Sequence, residues 1–235
     1  MSSNVEKAAL AVSPFQELYP PVEKIKTIVV DNFPALGRLA AFRFLEWVQD
    51  NPEGVISLPT GKTPEHFIKW VNRLLRTWDT PATRSILEAG GLDPARKPEM
   101  AGLRFVQIDE FYPIQPWQQN SFLYYVNRFY IEGFGLDPKR ALLMDGSRIG
   151  MARGWDLDTL WRDGEVDLAL RYRVAKNALE RRQKEVLAGI DQWCQEYEEK
   201  VRAMGGLGFF LGGIGPDGHI GFNCRGASHY STTRL

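Results

Sequence analysis

The 235-residue chain has a globular composition, with 44% hydrophobic and 25% charged residues. Its 29 basic and 29 acidic residues cancel, which argues against a nucleic-acid-binding or anionic-membrane surface. Two cysteines, Cys194 and Cys224, exclude a disulfide framework, and no apolar run reaches the roughly 18 residues of a membrane span. Because the first residues make a poor signal peptide, we expect a cytoplasmic protein.

Strands alternate with helices along the chain. We expect residues 1–25 to form an irregular lead-in and residues 26–235 a single domain, with a surface insertion near 145–175. The predicted strands are 24–32, 55–58, 103–108 and 207–215, and the predicted helices are 35–50, 64–78, 120–130 and 176–204. This alternation predicts an α/β fold with a doubly wound, mainly parallel Rossmann-like sheet and helices on both faces. In such sheets, ligands bind beyond the carboxyl ends of the strands.

The second predicted strand runs into a helix through the turn 60–63, in the stretch VISLPTGKTPEHF. A nucleotide-binding loop needs a glycine five residues before Gly61, and Ile56 stands there, so the loop is too short for a triphosphate. The free N–H groups at a helix start suit a single phosphate or carboxylate. From these residues alone, such a cradle and an ordinary turn without a ligand both remain open.

The third predicted strand ends on two adjacent carboxylates, Asp109 and Glu110. Neighbouring strand residues point to opposite faces, so only one of them is expected to face a given pocket. Asp109 is the candidate general base, because burial raises a carboxyl pKa toward the range in which it accepts and returns a proton. A solvated strand end without a function is the alternative.

The fourth predicted strand runs into the glycine-rich stretch GGIGPDGHIGFN. Asp217 and His219 lie two residues apart, around a glycine. A carboxylate beside an imidazole fixes its tautomer and stabilises its charged form, which suits proton transfer near neutral pH. A turn whose polar groups merely satisfy each other is the alternative.

Four stretches resemble, in the same order, the glucosamine-6-phosphate deaminase (isomerase) family, a relative of the 6-phosphogluconolactonases. They are LPTGKTP, QIDEF, NSFLYYVNRFY, and LGGIGPDGHIGFN followed by STTRL. The resemblance covers residues 27–142 and 185–235, and DEF with GHIGFN is closer to the deaminases than to the lactonases. It implies conversion of glucosamine 6-phosphate to fructose 6-phosphate and ammonia, without a metal or an organic cofactor. Lactone hydrolysis, and sugar-phosphate binding without catalysis, are the alternatives.

The resemblance also implies roles for single residues. Asp109 would move the proton between carbons 2 and 1 of the sugar, and His219 would assist ring opening with Asp217 as its oriented partner. The residues implied for binding the sugar phosphate are Thr60, Gly61, Lys62, Thr63, Gly215 and Arg234. In some family members, the position of Arg234 binds an allosteric phosphate. A homo-oligomer is left open.

Three departures from the family pattern affect these expectations. Cys224 replaces the glutamate that completes the acid–base pair at the histidine. Because a thiol is neutral near pH 7, we expect that ring opening is impaired or that the substrate differs. The alternative is that Cys224 is only a packed residue. Lys62 replaces a glycine. Family members continue well beyond the position of Leu235, so we expect an incomplete fold, which belongs either to a fragment or to a partial domain. Such a fold would have an unpaired sheet edge, and Arg234 would be poorly held.

Overall fold

The computed structural model describes residues 3–13, 27–223, 226–228 and 231–235. The α-helices within these ranges are α1 (Asn4–Val12), α2 (Phe33–Asp50), α3 (Glu65–Thr77), α4 (Pro81–Ala89), α5 (Phe122–Val126), α6 (Leu157–Leu160) and α7 (Ala178–Ala203). The strands are β1 (Val55–Ser57), β2 (Arg104–Val106), β3 (Ala141–Leu142) and β4 (Phe209–Phe210). A π-helical segment, Asn127–Glu132, continues α5, and 3₁₀ turns lie at Pro138–Arg140 and Leu168–Arg171.

The four strands form one parallel sheet in the order β3-β2-β1-β4. Ile56 of β1 pairs with Phe209 of β4, and Phe105 of β2 pairs with Ala141 of β3. The two central strands are the buried ones, whereas Phe210 on the edge strand β4 is 49% exposed. The predicted α/β class with a parallel, Rossmann-like sheet is confirmed.

Side-chain caps explain where the long helices begin. The Asn32 side chain accepts a hydrogen bond from the backbone N–H of Ala35 at the start of α2. The Asn177 side chain accepts from Glu180 at the start of α7. Because the first N–H groups of a helix have no partner within the helix, such caps fix its first residue.

Contacts between residues group the chain into two compact units, of which the first comprises Met1–Gly54, Thr60–Arg104 and Phe129–Arg140. Its core lies between α2 and α3, where the rings of Phe44, Phe67 and Phe134 meet at centroid distances of 5.5–6.2 Å. Aromatic contacts of this geometry add to the stabilisation from burial.

The second unit comprises Val55–Pro59, Phe105–Arg128 and Ala141–Leu235. The predicted apolar stripe of α7 faces its core, and the segment 155–170 packs against that stripe. The buried members of this cluster are Leu157, Leu160, Trp161, Leu170, Val186, Leu187, Ile190 and Cys194. The segment expected to be a surface insertion therefore supplies part of the core. The single domain predicted over 26–235 stays a prediction.

Several predicted elements differ from the structure. Residues 4–12 are helical rather than irregular, because Ser3 caps α1 by accepting from Glu6; residues 14–25 lie outside the described ranges. The described part of the predicted strand 24–32, residues 27–32, holds no strand. The predicted strand 207–215 is reduced to β4, which lies at the edge and is not buried. The two-residue strand β3 was missed, since it is too short to show a periodicity.

None of the helices in the described ranges is both long and apolar enough to cross a membrane.

Candidate active site

A cavity of about 570 Å³ lies in the second unit. Its lining comes mainly from residues 108–112 after β2, from one face of α7, and from residues 220–223 and 231–235. The end of β2 and the glycine-rich stretch after β4 thus meet at one place. A concave site with a few polar groups among apolar ones is typical of small-molecule binding.

Asp109 is half-buried in the lining of this cavity. Gly221 has a φ of +58°, and a Cβ there would lie 3.4 Å from Asp109 Oδ2. The backbone of the glycine-rich stretch therefore runs directly against the carboxylate. Burial, with a smaller contribution from the charge of Glu110, raises the pKa of Asp109 to about 6. A carboxylate with this pKa is suited to accept and return a proton near neutral pH.

Buried hydrogen bonds fix the backbone at Asp109. The Gln107 side chain, 1% exposed, donates to the Asp109 carbonyl (2.9 Å) and accepts from the N–H of Met144 (2.9 Å). The Tyr197 hydroxyl donates to the Gln107 carbonyl (2.6 Å). Sequence reasoning missed Gln107, although a polar residue within a buried strand was an available signal, because buried polar groups need partners.

Glu110 has a different role from its neighbour in the sequence. Its Oε1 accepts from the N–H groups of Phe111 and Phe122, both at 2.9 Å. Its Oε2 accepts from the hydroxyl of Ser121 (2.8 Å) and the N–H of Leu123 (2.7 Å). Most of these donors belong to the first turn of α5 or to its cap, so the carboxylate anchors the beginning of this helix.

Asp217 and His219 form the predicted pair. Asp217 Oδ1 is hydrogen-bonded to His219 Nδ1, and this bond lowers the pKa of Asp217. Both side chains are largely exposed, 56% and 38% respectively, and neither belongs to the lining of the cavity around Asp109. The structure therefore forms the pair but does not bring it into the same cavity as the candidate base.

Gly215 lies directly against the imidazole of this pair. Its N–H donates to the His219 carbonyl (2.9 Å), and a Cβ at residue 215 would lie 2.1 Å from the ring Cε1. No side chain other than hydrogen fits there without displacing the ring. A role of Gly215 in substrate binding stays a prediction.

We expect Gly215→Ala to displace the imidazole of His219 and weaken its hydrogen bond to Asp217. The loop is exposed, so the global stability should change little. The measurement is the NMR chemical shift of the His219 ring protons, and Pro216→Ala in the same loop is the control. Unchanged His219 ring signals in Gly215→Ala would show that the ring does not need this space.

Arg234 lines the cavity together with Asp109. Its guanidinium donates to Asn223 Oδ1 (2.9 Å). The residue before it, Thr233, donates from its N–H (2.8 Å) and from its hydroxyl (2.7 Å) to Glu198 Oε1 on α7. The expectation that Arg234 is poorly held is therefore wrong, because contacts across the fold fix it.

The turn 60–63 belongs to the first unit and is largely exposed. Gly61 has a φ of +79°, a conformation that favours glycine. Within the described ranges, the N–H groups of Gly61, Lys62 and Thr63 have no hydrogen-bond acceptor, and the Lys62 carbonyl accepts from Glu65 (3.2 Å) at the start of α3. Three such N–H groups before a helix suit an anion, so a role of Thr60 and its neighbours in phosphate binding stays a prediction.

Of the two cysteines, only Cys194 belongs to the residues that the structure describes. Cys224, the position of the missing glutamate, lies outside the described residues. Cys194 is buried on α7, and burial raises the pKa of its thiol to about 11. Since the thiolate is the nucleophilic form, Cys194 is a packing residue rather than a nucleophile.

Comparisons with known proteins first show the class of fold to which the chain belongs. No family model matches the chain. A solved structure described as a monomeric glucosamine-6-phosphate deaminase has a TM-score of 0.59 at 21% identity, over 88% of this chain and 62% of that one. The chain therefore has the α/β fold of that structure.

Curated sequences then show which family the chain is similar to. A glucosamine-6-phosphate deaminase of Bacteroides fragilis (strain YCH46) is 55% identical over 47 residues, which are 20% of this chain and 17% of that protein. One of Halothermothrix orenii is 22% identical over 200 residues, 85% of this chain and 59% of that protein. The family resemblance predicted from the four motifs is confirmed. The matches span less than two thirds of these relatives' length.

Proposed function

We propose that this chain carries the catalytic base of an amino-sugar phosphate isomerase/deaminase, which converts glucosamine 6-phosphate to fructose 6-phosphate and ammonia. The observation that carries the proposal is Asp109: a half-buried carboxylate with a pKa of about 6, in the lining of a cavity to which Arg234 also belongs. The named activity of the relatives supports the same reaction.

The chemistry needs one placed base and one proton carried between two carbons. Asp109 removes the proton from carbon 2 of the open-chain aldose, and the carbonyl oxygen on carbon 1 takes a proton from water, which gives an enolamine. The same carboxyl then returns its proton to carbon 1, leaving a protonated imine at carbon 2. Water adds to this carbon, ammonia leaves, and the proton returns to the hydroxide formed in the first step, which gives the ketose. With a pKa of about 6, Asp109 is mostly ionised at pH 7 and ready for the first step.

The substrate must first open its ring, and the Asp217–His219 pair is proposed for this step. Ring opening needs a proton moved between the hydroxyl on carbon 1 and the ring oxygen, and an imidazole oriented by a carboxylate can carry it. The phosphate would be bound by the guanidinium of Arg234, which belongs to the lining of the cavity.

A sugar-phosphate-binding protein without turnover is the second candidate. It is favoured by one observation, the thiol of Cys224 at the position where family deaminases carry a glutamate. This version keeps the cavity and the affinity for the ligand but lacks part of the acid–base chemistry.

The deciding experiment measures ammonia and fructose 6-phosphate released from glucosamine 6-phosphate, with Asp109→Asn as the control. Release that requires Asp109 supports the deaminase. Thermal stabilisation by the ligand without release supports the binding protein, and a gain of turnover in Cys224→Glu then indicates an impaired enzyme. Hydrolysis of 6-phosphogluconolactone indicates the lactonase. If the chain neither binds nor turns over any of these ligands, the proposal is overturned.

The cytoplasmic location and the assembly into a homo-oligomer stay predictions.

A further inference from the structure

Three consecutive residues fix the segment 231–235 along the wall of the cavity. Thr233 is held by Glu198 through two hydrogen bonds, and Arg234 is held by Asn223. Leu235 packs against the apolar cluster of α7 and the segment 155–170. All five residues of 231–235 line the cavity, so the position of this segment decides which groups a ligand meets.

Glu198 accepts the hydrogen bonds that attach the segment 231–235 to α7. It follows Tyr197 on α7 and itself belongs to the lining of the cavity. One oxygen, Oε1, accepts both bonds from Thr233 at 2.7 and 2.8 Å, whereas Arg202 lies 4.0 Å from Oε2. The bonds from Thr233 are therefore the main partners of the carboxylate, and they lower the pKa of Glu198.

We propose that Glu198 is a positioning residue, which holds Arg234 in the cavity through Thr233 and thereby sets the affinity of the site for a phosphate-bearing ligand. The inference rests on the proposed function, because it assigns the phosphate to Arg234. Without the attachment, the arginine would have to be ordered on binding, and ordering a residue costs conformational entropy. A segment that is already ordered avoids this cost.

The sign of the effect separates positioning from simple electrostatics. Glu198 is a negative charge in the wall of a cavity that would bind an anion. If charge alone mattered, removing the carboxylate would strengthen the binding of phosphate, because a repulsion disappears. The positioning role predicts the opposite, a weaker binding, since Arg234 loses its fixed place.

The test compares Glu198→Ala with Glu198→Gln in the full 235-residue chain. Calorimetry measures the Kd of glucosamine 6-phosphate and of inorganic phosphate. We expect a Kd about tenfold higher in Glu198→Ala, which corresponds to about 1.4 kcal/mol. Glu198→Gln should stay close to the original Kd, because its amide oxygen can still accept from Thr233. Glu199→Ala, at the exposed neighbouring residue, is the matched control.

Thr233→Val provides a second variant, which loses the hydroxyl bond but keeps the N–H bond, and we expect an intermediate Kd. An equal or lower Kd in Glu198→Ala would overturn the inference and leave the proposed function standing. Failure of the unchanged chain to bind either ligand would overturn both. If Glu198→Ala does not fold, the Kd of Thr233→Val decides.

Discussion

Replacing Asp109 with asparagine should remove turnover while it stabilises the folded chain at pH 7. Asparagine has nearly the same shape but cannot accept the proton from carbon 2, so we expect turnover to fall on the order of 10²–10⁴-fold. Since the ligand contacts are kept, the Kd of the sugar phosphate should change little. Steady-state kinetics of ammonia release with calorimetry of binding would measure both.

The gain in stability follows from the raised pKa of Asp109, which is about 6 in the folded chain against an ordinary value of 3.8. Ionisation then costs folding free energy: the cost is absent below pH 3.8, grows between 3.8 and about 6, and is constant above. Asparagine does not ionise, so Asp109→Asn should gain on the order of 1–3 kcal/mol at pH 7 and nothing below the ordinary pKa. Urea unfolding at several pH values measures this difference.

Asp217→Asn is the matched control, because the pKa of Asp217 is lowered by His219 and not raised. A lowered folded-state pKa contributes stability that is present above the unfolded value and lost as the pH falls. Asp217→Asn should therefore be less stable than the unchanged chain at neutral pH and regain parity in acid. A stability gain in both variants, or a gain of Asp109→Asn that does not depend on pH, would contradict the account given for Asp109.

The same raised pKa predicts the pH dependence of the reaction. The base works in its ionised form, so kcat/KM should fall as the pH drops through about 6. A profile of kcat/KM between pH 5 and 8 measures this limb, and a profile that stays flat down to pH 5 would contradict it.

The sequence predicted the elements whose patterns are long. The helix α7 repeats apolar residues over many turns, and its stripe is buried as expected. Asp109 could be identified from the sequence as the candidate base, because a carboxylate at a strand end is a local feature. The motif around Asp217 and His219 was equally local, since the two residues are hydrogen-bonded across a single glycine.

The supporting residues of the site were not predictable in the same way. Gln107 meets Tyr197, 90 residues away, and Glu198 meets Thr233, 35 residues away. Such bonds depend on how the strands and α7 pack, and no local pattern encodes a partner at that separation. Charged residues on a helix are usually solvated, so no local pattern distinguishes Glu198 from the glutamates around it.

Removing the Glu110 carboxylate should cost a large part of the stability of the second unit. Four hydrogen bonds end on its two oxygens, and a part-buried donor without a partner costs about 1–3 kcal/mol. Because some of these donors can turn to water, we expect Glu110→Ala to lose on the order of 2–4 kcal/mol of unfolding free energy. Urea unfolding measures the loss, and Glu132→Ala, at an exposed residue, should lose little.

Glu110→Gln separates the two contributions of this carboxylate. Its amide oxygen keeps one acceptor for α5, so the loss should be smaller than in Glu110→Ala. Its neutral charge also removes the repulsion that helps raise the pKa of Asp109, so the acid limb of turnover should move to lower pH. Two adjacent carboxylates then respond in opposite ways: neutralising Asp109 stabilises the fold, and truncating Glu110 destabilises it. If both changes destabilise at pH 7, burial is not what raises the pKa of Asp109.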